Sequence, residues 1–190
     1  MKKLVYGKGV YDLAPGLSRL KAYSDWKSML ERAYSEKYHL KEPSYRDVEV
    51  DKEWLFASNF MEWHNKQRIE LRWQLDKDLL IPGNRVYSAD TCIYVPAWLN
   101  SFTSDRRNDR GHSYIGVRQR SGTGKFEARC NNPFTKKSQY LGVFVYEDDA
   151  YNAWLEFKLS AALQLKSKMD EVDLRLYPNV VKIIESKKGN

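Results

Sequence analysis

Cysteine is scarce: the 190 residues hold two, Cys92 and Cys130. Two cannot build a disulfide scaffold or a Cys-rich zinc site, and no Cys-x-x-Cys occurs. A reducing, cytoplasmic setting is the simple expectation. Histidine is nearly as rare, at His39, His64 and His112. Long apolar runs are missing, so no segment reaches the ~18–20 residues of a membrane span. The start, Met-Lys-Lys-Leu-Val-Tyr-Gly-Lys-Gly-Val, has two lysines but lacks the apolar core of a signal peptide. There is no internal repeat, no phosphate-binding glycine loop and no nucleophile triad. These absences point away from membranes, secretion and small-molecule cofactors.

What is present is positive charge and aromatic mass. The chain carries a net charge of +7 and a sequence pI of about 9.2. The excess is localised: between Ser104 and Val145 nine Lys or Arg face three Asp or Glu. A basic face attracts phosphates whatever their sequence, through counterion release; the bland alternative is a merely soluble basic surface. The hydrophobic fraction of 42% suffices for a packed core. Six tryptophans read mostly as packing, since aromatics carry large buried areas.

Residues 113–145 show three short runs of strand-like alternation. Ile115 and Val117 oppose Arg118 and Arg120. Phe126, Ala128 and Cys130 oppose Lys125, Glu127, Arg129 and Asn131. Leu141 and Val143 oppose Ser138 and Tyr140. Side chains alternate across a strand, so one face is apolar and the other is rich in Arg and Lys with one aromatic. Ser121-Gly122-Thr123-Gly124 and Asn131-Asn132-Pro133 supply the turns. From Glu147 the period becomes helical, with Ala150, Ala153, Trp154, Phe157, Ala161 and Leu165 in one stripe. The acidic Glu147-Asp148-Asp149 suits the first turn of that helix. A three-stranded sheet backed by one helix is expected, its basic face in water.

Tyr-Ile-Gly-Val-Arg-Gln-Arg, Gly-Lys-Phe, Tyr-Leu-Gly-Val-Phe and Glu-Asp-Asp-Ala-Tyr-Asn-Ala-Trp, in that order over about 50 residues, resemble the AP2 DNA-binding domain. That domain occurs in plant ethylene-response factors, in phage proteins and in some integrases. The resemblance implies that the sheet enters the major groove of double-stranded DNA. It also implies contacts from Arg118, Arg120, Lys125, Arg129, Asn131 and Tyr140. Arg129 stands where plant members carry Glu, and Asn131 where they carry Arg, so the plant base preference does not transfer.

Upstream, residues 1–20 read as a loop-rich arm. A helix is expected from Ser24, as N-cap, to before Pro43, with Trp26, Met29, Leu30, Ala33 and Tyr34 as its apolar stripe. Tyr45–Val50 alternates weakly. A second helix runs from Trp54 to about Lys66, with Trp54, Phe56, Phe60, Met61 and Trp63 in the core. An extended piece ends at Asp76-Lys77-Asp78, a loop holds Pro82-Gly83-Asn84, and Cys92–Val95 is extended again. Pro96 suits the first turn of a following helix.

Strand, loop, strand, helix, with the upstream Trp-Lys-Ser-Met-Leu-Glu-Arg-Ala-Tyr, is similar to the HNH endonucleases that phages carry, some of which also bear an AP2 domain. That resemblance implies a ββα-metal fold holding Mg²⁺ or Mn²⁺, with a carboxylate on the ion and a base that deprotonates water. Asp76 matches the metal-binding acid and Asn100 the last Asn, and Asp78 offers a second carboxylate. Lys77 stands at the base histidine, where a protonated amine would act as an acid or contact phosphate. Thr91 replaces the middle Asn. His64, on a helix among aromatics, reads as structural, and Cys92 as a small core residue. His112 either contacts phosphate or lies in an exposed loop.

The expected architecture is α+β. A helical, HNH-like ββα-metal region spans 1–103, a polar linker 104–112, an AP2-like three-stranded antiparallel sheet packed on one helix 113–168, and a helical tail 169–190. Two functions remain open. One is a phage-type homing or nicking endonuclease with catalytic Asp76, Lys77 and Asn100 and metal ligands Asp76 and Asp78. The other is a DNA-binding regulator or host-interaction factor without catalysis.

Overall fold

The computed structural model describes residues 4–104 and 113–188. The fold is mixed α+β, with seven α-helices and seven strands among the described residues. The chain divides into two compact units, Met1–Pro96 and Ala97–Asn190. Apart from Ser104, the linker expected at 104–112 lies outside the described residues, as does His112. The helix expected to close the first region groups with the second unit.

The first unit opens with an arm in which Val5 bridges Gly9 and Val10 bridges Phe56. Helix α1, Lys21–Tyr34, buries Ala22, Trp26, Met29, Leu30 and Ala33. It starts ahead of Ser24, which lies inside the helix rather than capping it. The single helix expected up to Pro43 is broken at Ser35, whose hydroxyl accepts from the Tyr38 N–H at 3.3 Å and caps α2, Glu36–Lys41. A free hydroxyl beside the helix end competes for backbone N–H groups and favours a new start. Strand β1, Glu49–Val50, pairs in parallel with β3, Val86–Tyr87, a strand too short to be signalled by periodicity.

Helix α3, Ala57–Asn65, buries Ala57 and Phe60. Trp54 is buried in the preceding 3₁₀ turn, whereas Phe56 is 43% exposed and outside the core expected for it. Met61 and Trp63 are half-buried. The ring centroids of Trp54 and Trp63 are 4.6 Å apart, those of Trp54 and Phe60 5.0 Å, and those of Trp63 and Tyr94 5.8 Å. The Trp26 indole N–H, fully buried, donates to the Trp54 carbonyl at 2.8 Å. Tryptophan is therefore core material here. Strand β2, Trp73–Asp76, pairs antiparallel with β4, Ile93–Pro96, so that Asp76 lies opposite Ile93.

The second unit opens with α4, Ala97–Thr103. Strands β5 (Val117–Gln119), β6 (Phe126–Asn131) and β7 (Ser138–Phe144) form an antiparallel meander in the order β5-β6-β7. Helix α5, Glu147–Gln164, packs on its inner face against Val117, Ala128 and Cys130, all buried. The acidic first turn does local work: a Glu147 carboxylate oxygen accepts from the Tyr114 N–H at 2.9 Å.

The buried surface of α5 is wider than one stripe. Tyr151 and Lys158 are buried, and the expected Ala153 and Phe157 are only half-buried. Helix α7, Leu176–Glu185, covers another side of α5, which shifts what is enclosed. The Lys158 ammonium lies 3.8 Å from the centre of the Phe102 ring, a cation–π contact that offsets part of its desolvation. A short α6, Lys166–Asp170, joins the two. Pro178 sits in the first turn of α7, where the missing N–H leaves no hydrogen bond unmade. Among the described residues no helix is long and apolar enough to cross a membrane.

Candidate nucleic-acid interface

The outer face of the β5–β7 sheet is built by register. Arg118 lies opposite Glu127, and Val117 opposite Ala128. Directly opposed residues of an antiparallel pair share a face, so Arg118 and Glu127 point outward while Val117 and Ala128 point at α5. On the other side of β6, Arg129 lies opposite Tyr140 and Asn131 opposite Ser138.

The register then shifts between Ala128 and Arg129: Ala128 faces Gly142, Glu127 faces Val143 and Phe126 faces Phe144. Leu141 is the extra residue of a β-bulge. Simple alternation puts Leu141 and Val143 together on the apolar face; the bulge instead brings Val143 opposite Glu127 and gives Gly142 and Phe144 to the inner side. A bulge re-aims the side chains that follow it. Here it lets Tyr140 and Val143 share the outer face. Gly142, at φ 139°, absorbs the backbone distortion.

Arg118, Arg120, Ser121, Glu127 and Arg129 line one open cleft of about 410 Å³ on this face. The one acid among these is Glu127, with a side chain 18% exposed. The Arg129 Nε–H donates to Glu127 Oε1 at 2.5 Å. That bond, with the charges of Arg129, Arg120 and Arg118, holds the Glu127 carboxyl below its ordinary pKa, against the opposing effect of desolvation. The Arg129 guanidinium also lies over the Tyr140 ring, 5.6 Å from its centroid. Tyr140 is 52% exposed. Arg118 and Arg120 make no ion pair within hydrogen-bonding distance among the described residues.

Of the six DNA-contacting residues expected, four therefore come together: Arg118, Arg120, Arg129 and Tyr140. Lys125 is exposed at the hairpin end, its carbonyl accepting from the Arg120 N–H at 2.8 Å. Asn131 is exposed at the other end of β6. Glu127 was not among the expected contacts. Its signal was available, since alternation puts it as the lone acid on a basic strand face.

The residues expected to carry metal chemistry have different surroundings. Asp76 Oδ1 accepts from the N–H groups of Asp78 and Leu79, both at 2.7 Å, so the carboxylate closes the turn that leaves β2. Burial pushes its pKa up, the neighbouring Asp78 charge adds to this, and the two N–H groups and Lys77 oppose it. Lys77 is buried at 6% exposure. Its ammonium donates to Asp78 Oδ1 at 2.7 Å and to the Asn84 carbonyl at 2.9 Å, and lies 5.7 Å from the Tyr45 ring centroid.

The same loop is knit by Asn84 and Thr91. The Asn84 amide donates to the carbonyls of Lys77 (2.8 Å) and Val86 (2.7 Å), and the Thr91 hydroxyl donates to Val86 (2.7 Å). Each of these polar side chains replaces a backbone partner that an irregular connection cannot supply. Asn100 is half-buried in α4, in the second unit. Cys92 is buried, its thiol pushed up to about 12 by burial, which suits a packing residue. Among the described residues no three His, Cys, Asp or Glu side chains are grouped to hold a metal ion.

His64 is half-buried on α3, with its ring edge-on to Tyr94 at 5.4 Å and Nε2 3.8 Å from Asp25 Oδ2. Lys21 and the Tyr94 hydroxyl both donate to that Asp25 oxygen, at 2.5 and 2.7 Å. No family model, curated protein or solved structure matches the chain.

Proposed function

We propose that the chain binds double-stranded DNA by laying the outer face of β5–β7 in the major groove. The observation that carries this is the convergence of Arg118, Arg120 and Arg129 with Tyr140 on one exposed sheet face. Three guanidinium groups against one carboxylate leave this solvent face net positive, which favours a polyanion, and release of its counterions supplies the affinity. The dimensions suit B-form DNA. Three strands span about 10 Å from first to last, against a major groove about 12 Å wide. The narrow major groove of A-form RNA excludes such a face.

A nuclease reading retains one supporting observation: β2 and β4 form an antiparallel pair and α4 follows directly, the element order of ββα nucleases. The side chains favour binding without cleavage. Asp76 and Asp78 fit a divalent ion poorly, since Asp76 Oδ1 holds two backbone N–H groups and Asp78 Oδ1 holds the buried Lys77 ammonium. A second cation there would face that ammonium. Lys77, in the place of the general base, is enclosed and engaged at two acceptors.

The test is binding of labelled duplex DNA by the full chain at several salt concentrations. Arg118→Ala and Arg120→Ala each weaken binding, by ~1–3 kcal/mol for a bidentate base contact. A phosphate contact gives a smaller loss and a salt slope shallower by about 1. Duplex added with Mg²⁺ or Mn²⁺ stays intact. Unchanged affinity in both variants overturns the interface, and a cut duplex restores the nuclease reading.

A further inference from the structure

Arg129 differs from the other two arginines of the cleft. Its Nε–H is bound to Glu127 on the same strand, and its Cζ lies over the Tyr140 ring on the next. One contact fixes the position of the guanidinium and the other restrains its orientation. No partner for its two terminal nitrogens occurs among the described residues. A guanidinium held in this way offers two parallel donors with little rotamer entropy left to lose. Arg118 and Arg120 have no such support.

The presence of Glu127 strengthens the distinction. A carboxylate on a DNA-facing surface repels phosphate, so it opposes affinity for any duplex. At 18% exposure, and with the surrounding arginines favouring its ionised form, it is a fixed part of the face. An acid placed there is explained by what it orients. A phosphate contact tolerates a mobile cation, whereas a base-edge contact needs a directed fork. The two acceptors that such a fork matches in the major groove are guanine O6 and N7.

We propose that Arg129 is a specificity-determining residue that reads a guanine through its terminal nitrogens, and that Glu127 and Tyr140 are its positioning residues. This rests on the DNA-binding reading above and adds to it one base, one reader and two supports. Glu127 contributes selectivity at the expense of general affinity, and Tyr140 acts through its ring face rather than its hydroxyl.

The experiment selects duplexes from a randomised pool with the full-length wild type, Arg129→Lys, Glu127→Gln, Tyr140→Phe and Tyr140→Leu. The wild type is expected to enrich a site containing guanine at a defined position. Arg129→Lys keeps the charge and loses the fork, so preference at that one position falls about ten- to a hundred-fold. Glu127→Gln and Tyr140→Leu weaken preference at the same position, and Tyr140→Phe retains it. The inference is overturned by an Arg129→Lys site identical to that of the wild type, by a loss spread evenly over all positions, or by wild-type binding with no sequence enriched. Failure of the wild type to bind any duplex instead refutes the DNA-binding reading itself.

Discussion

His64 shows what a single side chain's surroundings imply for stability. Burial holds its imidazole below the ordinary histidine pKa, while Asn65 and Asp25 pull the other way and Lys21 adds to the depression. The unfolded chain therefore takes up a proton at a higher pH than the folded one, near ~6.5. Stability from the neutral imidazole is fully present above that value and is lost as pH falls from it toward the folded pKa. Thermal melts of wild type and His64→Gln, compared between about pH 7.5 and pH 5, are expected to converge as wild type loses its advantage on the acid side. A difference between the two that stays constant with pH contradicts this. The residue was legible as structural from its aromatic neighbours in sequence. Its contact with Asp25, 39 positions away, was not.

At the scale of elements, the sheet and its helix depend on close approach at Gly116. This residue has φ +74°, and a Cβ built on it would lie 2.0 Å from Cδ1 of Trp154. Trp154 itself is buried on α5. Gly116→Ala combines left-handed strain with overpacking, so a loss of about 2–4 kcal/mol is expected. Urea unfolding followed by tryptophan fluorescence measures it, and a wild-type midpoint would show that α5 can withdraw without loss. The three strands and the helix are readable from their periods because each has one buried face. The bulge at Leu141 is not, because an extra residue leaves the composition of a strand unchanged and alters only its pairing.

For the whole molecule, the division at Pro96/Ala97 assigns α4 with the basic sheet and its helices. The interface proposed for DNA, Arg118 to Tyr140, lies wholly in that second unit. A fragment of residues 97–190 is expected to fold, with helical circular dichroism, and to bind duplex DNA within a factor of a few of the full chain. The full chain's affinity is expected to be no lower in EDTA than in Mg²⁺, since the groups proposed to meet DNA on that face are guanidinium donors, which need no metal ion. Anisotropy titrations of a labelled duplex measure both. A fragment that folds but does not bind would move the site elsewhere, and a requirement for Mg²⁺ would bring metal chemistry back into the account.

Alternation, helical spacing and turn residues in the amino-acid order determine that residues 113–165 form a basic-faced sheet with a helix behind it. They also determine which arginines share a face, because facing is local and repeats every two residues. Charge excess and its position on the chain are equally local facts. Tertiary structure decided what the polar residues touch. Asp76 and Lys77 read alike in the sequence whatever their partners, and the enclosure of Lys77 against Asp78 and Asn84 exists only in the fold. It also decided that Tyr140 stands over Arg129 and that Glu127 holds the same guanidinium. Those contacts depend on pairing register and side-chain orientation, which arise only when three strands and a helix pack together.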